Sequence, residues 1–576
     1  MRLRSAKIAK LVSILLLLVV FVSCQKSTVT TMPTHSQHWD TFVSRFIEDY
    51  FVANPTFAVD SGRHEFDGLL PDWSVDGINA EIARLHTSME EAMAFDGATL
   101  SDKQRFEKEY LVAIIDGDLF WLDKTEEQYR NPRFYYGHLF PSVYVIREYA
   151  PLDVRMKAYT KFAGEVPRAV DQIMANLRTP LPLTFINLGK TTFGGLATYF
   201  ENDIYDVFES VEDDELQANL KEANLMAVEA MKKLTAWIEE QRPTATDDYA
   251  IGAENFQEML WATERVDVSI ADLKIIAEKD LARNLASLDA ACAEYAPELT
   301  NRDCMQKARD VKNEEGVVEG ARQQLTGLRD FLIEKDLITI PGTEEALVAE
   351  SPEYARFNLA YINIPGPYEV GLPSTYYIAP PDPTWSEQDQ LDYLPGKADL
   401  MFISVHEVWP GHFLQFLHSN RSDSKFGQIF VGYAFAEGWA HYAEEMMWDA
   451  GFSKGDPEIH IGQLKNALMR NARFLSTIGL HTEGMTVEES ETLFMESGYQ
   501  DPGNARQQAA RGTYDPAYLN YTMGKLMITK LREDRIASKG THGTWKEFHD
   551  MYHSFGGPPI PLIRKAMLGE DNGTLF

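Results

Sequence analysis

The sequence SVHEVWPGHFLQFLH, residues 404–418, restricts the fold of this chain more than any other stretch. It places His406 beside Glu407 and puts His412 six positions after His406. In an HExxH helix the two histidines stand four positions apart, about 40° in projection, so that both imidazoles reach one metal ion. Six positions of straight helix would separate them by about 120°. Because a proline and a glycine occupy positions 410 and 411, we expect the helix to bulge there and bring both histidines to one ion.

A carboxylate to complete such a site follows in AFAEGWAHYAEEM, residues 434–446, where Glu437 stands 25 positions after His412. Two imidazole nitrogens and one carboxylate oxygen leave a fourth tetrahedral position open for water, as in catalytic zinc sites. A bound zinc ion lowers the pKa of that water, and Glu407 can accept its proton as general base. These residues therefore predict one Zn²⁺ per chain, held by His406, His412 and a downstream carboxylate, for which Glu437 is the candidate because its sequence EGWA resembles the glutamate pattern of gluzincins.

Other acids and histidines near this pattern are expected to play supporting roles. Glu444 lies seven positions after Glu437, on the same helix face but about 10 Å further along, so we expect it and Glu445 to lie outside the ligand set. Gly438 lacks a side chain, and we expect it to let its helix approach the metal closely. The remaining histidines of the region are interpreted as packed or capping residues: His418, His441 and His460.

The amino terminus is typical of an exported protein. MRLRSAKIAK carries four positive charges and no acid, and it runs into the apolar LVSILLLLVVFVS, which is too short for a good transmembrane helix. The run ends at Cys24 in a setting that resembles the lipobox of bacterial lipoproteins. We therefore predict a signal peptide over 1–23 and a lipidated Cys24 with a flexible tether over 24–37; an ordinary secretory signal is the alternative.

The charge balance excludes some classes of partner. The leader holds four of the 54 basic residues and none of the 87 acidic ones, so the net charge beyond it is −37 rather than −33. Such a chain is unsuited to binding nucleic acid or bare anionic lipid. We expect it to meet the membrane through its N-terminal lipid anchor alone, in the periplasm or at the outer membrane of the cell envelope.

Apolar residues recur every three or four positions over 78–116, 213–241, 254–290 and 305–335, which predicts a mainly α, multi-helix protein. Strand-like alternation is clearest in LPSTYYIAP, residues 372–380, so we expect a small extended or β element near 361–380. RPTATDDYAIG, residues 242–252, is the best candidate boundary. It divides an N-terminal helical region, 38–245, from a C-terminal helical region with the zinc site, 246–576.

Two cysteines remain beyond Cys24. Cys292 and Cys304 stand twelve positions apart with turn residues between them, and in an oxidising compartment they can close a disulfide. A zinc site made from two cysteines alone is the weaker alternative.

At its two motifs the chain resembles a bacterial family catalogued as the domain of unknown function 885, in which HExxPGH is followed by EGWAxYxE. The likeness extends to the CAE…C segment, to GLHTEGMT at 479–486 and to YxxGK at 521–525. This resemblance implies a largely helical fold related to zincin peptidases such as thimet oligopeptidase and angiotensin-converting enzyme, with Glu437 as the gluzincin glutamate.

The same resemblance suggests further site residues. Such peptidases place a Tyr or His opposite the zinc to stabilise the oxyanion, and the candidates are Tyr521, Tyr514 and His481, in that order. A substrate carboxylate would pair with a cation, for which the candidates are Arg473, Arg511 and Lys525. The stretch 372–380 would offer a strand edge to a peptide, with Tyr376 and Tyr377 near the substrate.

We therefore expect a zinc metallohydrolase that cleaves short peptides as a carboxypeptidase, dipeptidase or oligopeptidase. Hydrolysis of another small amide or an ester by the same site is the first alternative. A lipoprotein that binds peptide or metal without catalysis is the second, and the presence of Glu407 argues against it, because metal binding does not need a general base.

Overall fold

The computed structural model describes residues 35–352, 356, 359–381, 385–453, 455–569 and 573–576. The predicted signal peptide, the lipidated Cys24 and nearly all of the predicted tether lie outside these residues.

Helices make up most of the described chain, which confirms the mainly α prediction. Hydroxyl and carboxylate side chains such as Ser101, Ser269 and Asp456 accept hydrogen bonds from backbone N–H groups in the first turns of the helices that follow them. The helices of the N-terminal region are α1 (His35–Ala53), α2 (Pro55–Asp60), α3 (Val75–Ala94), α4 (Asp102–Leu119), α5 (Glu127–Arg130), α6 (Arg133–Tyr136), α7 (Ser142–Ile146), α8 (Leu152–Asn176), α9 (Leu183–Asn202), α10 (Ile204–Phe208) and α11 (Asp214–Glu239).

The helices of the C-terminal region include those that carry both predicted motifs. They are α12 (Ala253–Glu264), α13 (Ile270–Tyr295), α14 (Asn301–Asp310), α15 (Val317–Lys335), α16 (Glu387–Tyr393), α17 (Lys397–Glu407), α18 (His412–Ser419), α19 (Lys425–Ile429), α20 (Tyr433–Asp449), α21 (Pro457–Ile478), α22 (Val487–Glu496), α23 (Pro502–Tyr514), α24 (Asn520–Lys539), α25 (Trp545–Ser554) and α26 (Ile560–Leu568).

A three-stranded sheet includes the segment near 361–380 where the extended element was expected, and its first strand lies earlier in the chain. Its strands are β1 (Leu347–Glu350), β2 (Ala360–Asn363) and β3 (Thr375–Ile378). β3 is the central strand, parallel to β1 and antiparallel to β2. The expectation that 372–380 offers a free edge is therefore wrong, because both sides of β3 are already hydrogen-bonded. The edges of this sheet belong to β1 and β2.

The hydrophobic cores are only partly divided between the two predicted regions. One core is built from residues between Val59 and Ile238, and a larger one combines the sheet with the helices around the two motifs. A third core joins α1 and α4 to Phe426 and Phe430, so both predicted regions contribute to it. The boundary at 245/246 stays a prediction.

Two further findings concern the predicted disulfide and the membrane. Cys292 and Cys304 are bonded as a disulfide across a Cα–Cα distance of 5.9 Å and join α13 to α14. Among the described helices, none combines the length and the apolar character needed to cross a bilayer.

Candidate metal centre

The two histidines of HEVWPGH are carried by two helices rather than by one bulged helix. α17 ends at Glu407, the chain turns through residues 408–411, and α18 begins at His412. The turn is held by a hydrogen bond from the Gly411 backbone N–H to the Val405 carbonyl, 2.9 Å. A Cβ at Gly411 would lie 1.7 Å from the His406 carbonyl oxygen, so only glycine fits. Instead of the expected bulge, the helix is broken completely. The break still brings the two imidazoles close together, as expected.

The break brings both imidazoles to Glu437 on α20. Glu437 Oε2 lies 3.2 Å from His406 Nε2 and 3.4 Å from His412 Nε2. One donor atom from each residue falls within 4.8 Å of the other two, and the side chains are only 8%, 13% and 22% exposed for His406, His412 and Glu437. Two imidazole nitrogens and a carboxylate oxygen that converge in this way can hold a divalent cation.

Electrostatics keeps the Glu437 carboxylate ionised. Burial raises the pKa of Glu437, but the adjacent His412 and His406 outweigh it and hold this pKa well below its usual value. An ionised carboxylate beside two imidazoles is the form that binds a cation.

A second carboxylate lies on the opposite side of His406. Glu444, fully buried, accepts a hydrogen bond from His406 Nδ1 at 2.8 Å, and Arg470 Nη1 donates to its other oxygen at 3.0 Å. Arg470 Nη2 also lies 3.1 Å from His406 Nδ1, but a guanidinium only donates, so the Nδ1–H bond belongs to Glu444. This arrangement leaves the Nε2 lone pair of His406 directed toward Glu437.

Glu407, the predicted general base, is the last residue of α17 and is half-buried. It follows His406 directly, at the start of the turn that leads to His412. Burial raises the pKa of Tyr376, and the hydrogen bond to Ser404 lowers it by less. The nearby charge of Glu407 adds to the increase.

The helix that carries Glu437 crosses α24 at a glycine–glycine contact. A Cβ on Gly438 would lie 2.6 Å from the Cα of Gly524, and a Cβ on Gly524 would lie 2.4 Å from the Ala434 carbonyl oxygen. Gly438 therefore brings α20 close to α24 rather than close to the metal, which corrects the expectation for this residue. The contact sets Tyr521 beside the site, with its ring 6.3 Å from that of His406 and nearly parallel to it.

Tyr521 is surrounded by aromatic and cationic side chains. The ring of Tyr433 packs edge-on against it at 5.8 Å, and the guanidinium carbons of three arginines lie within 6 Å of its centroid: Arg470, Arg473 and Arg511. Arg511 Nη2 donates to the Tyr433 hydroxyl at 2.9 Å. Of the three predicted oxyanion residues, Tyr521 is the one that the structure places against a candidate ligand.

The other two predicted oxyanion residues lie in different surroundings. His481 is buried and uses both ring nitrogens, since Nδ1 accepts from the Ile251 backbone N–H and Nε2 donates to the Gly512 carbonyl. Burial lowers the pKa of His481 to about 4. His481 is thus a structural residue, which corrects its assignment. Tyr514 packs against Phe185 and Leu480.

Some of the residues that were predicted to contact the substrate are buried or already paired with other residues. Tyr376 is fully buried and lies on the core side of β3, 3.5 Å from Ser404, so its placement near the substrate is wrong. Alternation along the strand puts Tyr377 on the other face, stacked on Tyr361. Lys525 is buried between Asp280 and Glu445, at 2.8 and 3.0 Å, and is not free for a substrate carboxylate.

The three histidines that were expected to be packed or capping residues are packed or hydrogen-bonded. His418 Nε2 donates to the Thr339 carbonyl, His460 stacks on Trp448 at 4.0 Å, and His441 is buried beside Glu444.

Three residues of this neighbourhood were not found from the sequence: Tyr433, Arg470 and Glu264. Tyr433 stands one turn before Glu437, and Arg470 lies three positions before Arg473 in a mostly buried helix, so spacing could have indicated both. Glu264 accepts hydrogen bonds from the Ala434 backbone N–H and from Asn520, and thereby joins the starts of α20 and α24. Its burial raises its pKa to about 8, but no local pattern marks it.

Comparison with known proteins identifies the family. A protein from Shewanella oneidensis, described as a candidate lipoprotein of unknown function, is similar in structure with a TM-score of 0.76 at 23% identity, over 92% of this chain and 99% of that one. A second, from Colwellia psychrerythraea and also described as a candidate lipoprotein, gives 0.75 at 16% identity, over 92% and 98%. No protein with a curated description matches. The family model "Bacterial protein of unknown function (DUF885)" matches residues 55–567, and the chain belongs to that family.

Proposed function

We propose that this protein is a zinc-dependent hydrolase of the cell envelope that cleaves short peptides. The observation that carries the proposal is the convergence of His406, His412 and Glu437 within 4.8 Å, behind which Glu444 and Arg470 hold one imidazole in position. A buried cation site with neutral nitrogen and anionic oxygen donors suits Zn²⁺.

The residues of the chain have separate tasks in this proposal. His406, His412 and Glu437 would hold the ion, which when bound activates water and polarises a carbonyl group. Glu407 accepts the proton of the attacking water and passes it to the leaving nitrogen. Tyr521 presents its phenol group beside the ligands, where it can donate a hydrogen bond to the oxygen of the substrate as it gains negative charge. The Tyr433 hydroxyl instead donates to Asp515 at 3.2 Å.

The proposed location rests on the amino terminus. The basic and apolar leader that ends at Cys24 predicts lipidation after export, and two structures of similar fold are described as candidate lipoproteins. Anchoring by lipid would place the catalytic region in the periplasm, where short peptides are available.

The test uses the mature protein without residues 1–24. We expect about one zinc per chain by metal analysis and cleavage of members of a mixed short-peptide pool, read by mass spectrometry. Glu407→Gln should keep the zinc and lose about 10²-fold or more in rate, because the ligands remain while the proton acceptor is gone.

The matched control is Glu334→Gln, an exposed glutamate of α15 whose side chain is 71% exposed. It should keep both zinc and rate. Absence of stoichiometric metal after reconstitution would rule out the zinc site. Cleavage of esters or non-peptide amides, with peptides left intact, would replace the substrate class.

A further inference from the structure

We propose that Arg473, together with Arg511, binds a carboxylate of the substrate next to the candidate metal centre. This inference rests on the proposed function, since it names the chemical group by which a substrate would be held at that site.

Charge pairing around Tyr521 leaves Arg473 without a carboxylate partner among the residues that the structure describes. Arg470 pairs with Glu444 at 3.0 Å, and Arg511 shares Asp515 with Arg133, at 3.1 and 3.5 Å. In the part of the chain that the structure describes, Arg473 forms no ion pair. Four guanidinium groups thus meet two carboxylates, in a protein whose overall charge is strongly negative.

Arg473 is also buried, with only 6% of its surface exposed. A buried cation without a counter-ion destabilises a fold, because the loss of hydration is not compensated. Burial and the neighbouring Arg511 lower the pKa of Arg473, in agreement with an environment short of negative charge. A bound anion would supply the missing charge.

Arg473 lies against Tyr521, the aromatic ring that stacks on the candidate ligand His406. Its Nε donates to Gln508 at 2.8 Å, which holds the guanidinium plane and leaves the terminal nitrogens with one weak contact to a methionine sulfur at 4.0 Å. Its guanidinium carbon lies 4.7 Å from the Tyr521 ring centroid, and Tyr521 stacks on His406. The cation is therefore one aromatic ring away from the candidate metal centre.

Arg511 offers a second cation from α23. Its side chain is 30% exposed, and it donates to Tyr433, which stands one turn before Glu437 on α20. Arginine recognises carboxylates through paired N–H groups, so two arginines beside this site favour an anionic group of fixed position. A free peptide C-terminus or an acidic side chain can provide that carboxylate.

The experiment measures binding without cleavage. Zinc-loaded Glu407→Gln protein is mixed with three tripeptide pools: free acids without acidic side chains, their C-terminal amides, and amides that contain glutamate. Peptides retained with the protein after ultrafiltration are counted by mass spectrometry. We expect the free acids to be retained about 10- to 100-fold better than the plain amides, as for hydrogen bonds to a charged group. Retention of the glutamate amides instead would assign the carboxylate to a side chain.

Arg473→Gln in the same background should bring the ratio of acids to amides close to one while the unfolding temperature stays equal or rises. Arg473→Lys keeps the charge without the paired donors, should retain part of the preference, and replaces the first variant if that one does not fold. Arg45→Gln, an exposed arginine of α1 paired with Glu91, is the control and should change nothing.

An unchanged ratio in Arg473→Gln, or no preference for carboxylates in the parent, would overturn the inference. Zinc content is measured on the same samples. If the protein held no zinc, the proposed function would be refuted. The inference about Arg473 would still be tested, because peptide retention by the parent and by Arg473→Gln can be compared on the metal-free chain.

Discussion

The two ring nitrogens of His406 have different partners, and this difference decides the roles of two glutamates. Nε2 faces Glu437 and His412, whereas Nδ1 donates to Glu444 on the far side of the ring. One ion cannot be bound by both nitrogens of one imidazole. Glu437 and Glu444 therefore cannot both be ligands of one ion bound to His406 Nε2.

We predict that Glu437→Gln weakens zinc binding far more than Glu444→Gln does. The first change removes a donor atom, while the second removes the acceptor that orients His406, a loss of about 10- to 100-fold in affinity. Titration of both variants with zinc against a competing chelator measures this. If Glu444→Gln lost the metal and Glu437→Gln kept it, the ligand assignment would be wrong.

At the scale of elements, the site depends on how closely α20 approaches α24 and the turn between α17 and α18. α20 meets α24 at Gly438 and Gly524, and it meets the turn between α17 and α18 through the hydrogen bond from Trp439 Nε1 to the Pro410 carbonyl, 2.8 Å. These contacts bring Glu437 to the two histidines and set Tyr521 against His406.

Gly524→Ala should destabilise the protein by about 1–3 kcal/mol, because a methyl group 2.4 Å from the Ala434 carbonyl oxygen forces α24 away from α20. Zinc affinity should fall with it, since the two helices carry Tyr521 and Glu437. Urea unfolding and zinc titration measure the two effects.

Gly195→Ala in α9 is the matched control. Gly195 is exposed and no atom lies within 4 Å of an added Cβ, so alanine should be neutral or stabilise the helix by up to about 1 kcal/mol. Equal effects of the two substitutions would contradict the close-packing argument.

At the scale of the whole molecule, charge is distributed unevenly. The chain beyond the leader is strongly acidic, yet three arginines cluster around Tyr521 beside the candidate metal centre. We expect such a basic cluster inside an acidic protein to favour small anionic substrates over extended polyanions, which the net negative charge repels.

Cys24→Ser should release the protein from the membrane fraction, because acylation requires that thiol. Fractionation of cells that express either form measures the change, and mass spectrometry of the mature terminus identifies the lipid. Unchanged fractionation without a lipid on the terminus would favour the ordinary secretory signal. A Cys292→Ser, Cys304→Ser double variant should keep the membrane association.

Local sequence was sufficient for the helical class, the place of the small sheet and the group of His406, His412 and Glu437. Helical period and the Pro-Gly break act within a few turns of chain, so spacing carries that information. The family resemblance stated from the two motifs was confirmed as well.

Long-range packing decided the rest. The order of the strands buries Tyr376, the ion pairs with Asp280 and Glu445 occupy Lys525, and two backbone groups from distant segments satisfy His481. Pairing partners far apart in sequence leave no mark in local spacing. For the same reason only the tertiary structure determined that Glu444 lies behind His406 and that Arg473 has no counter-ion among the described residues.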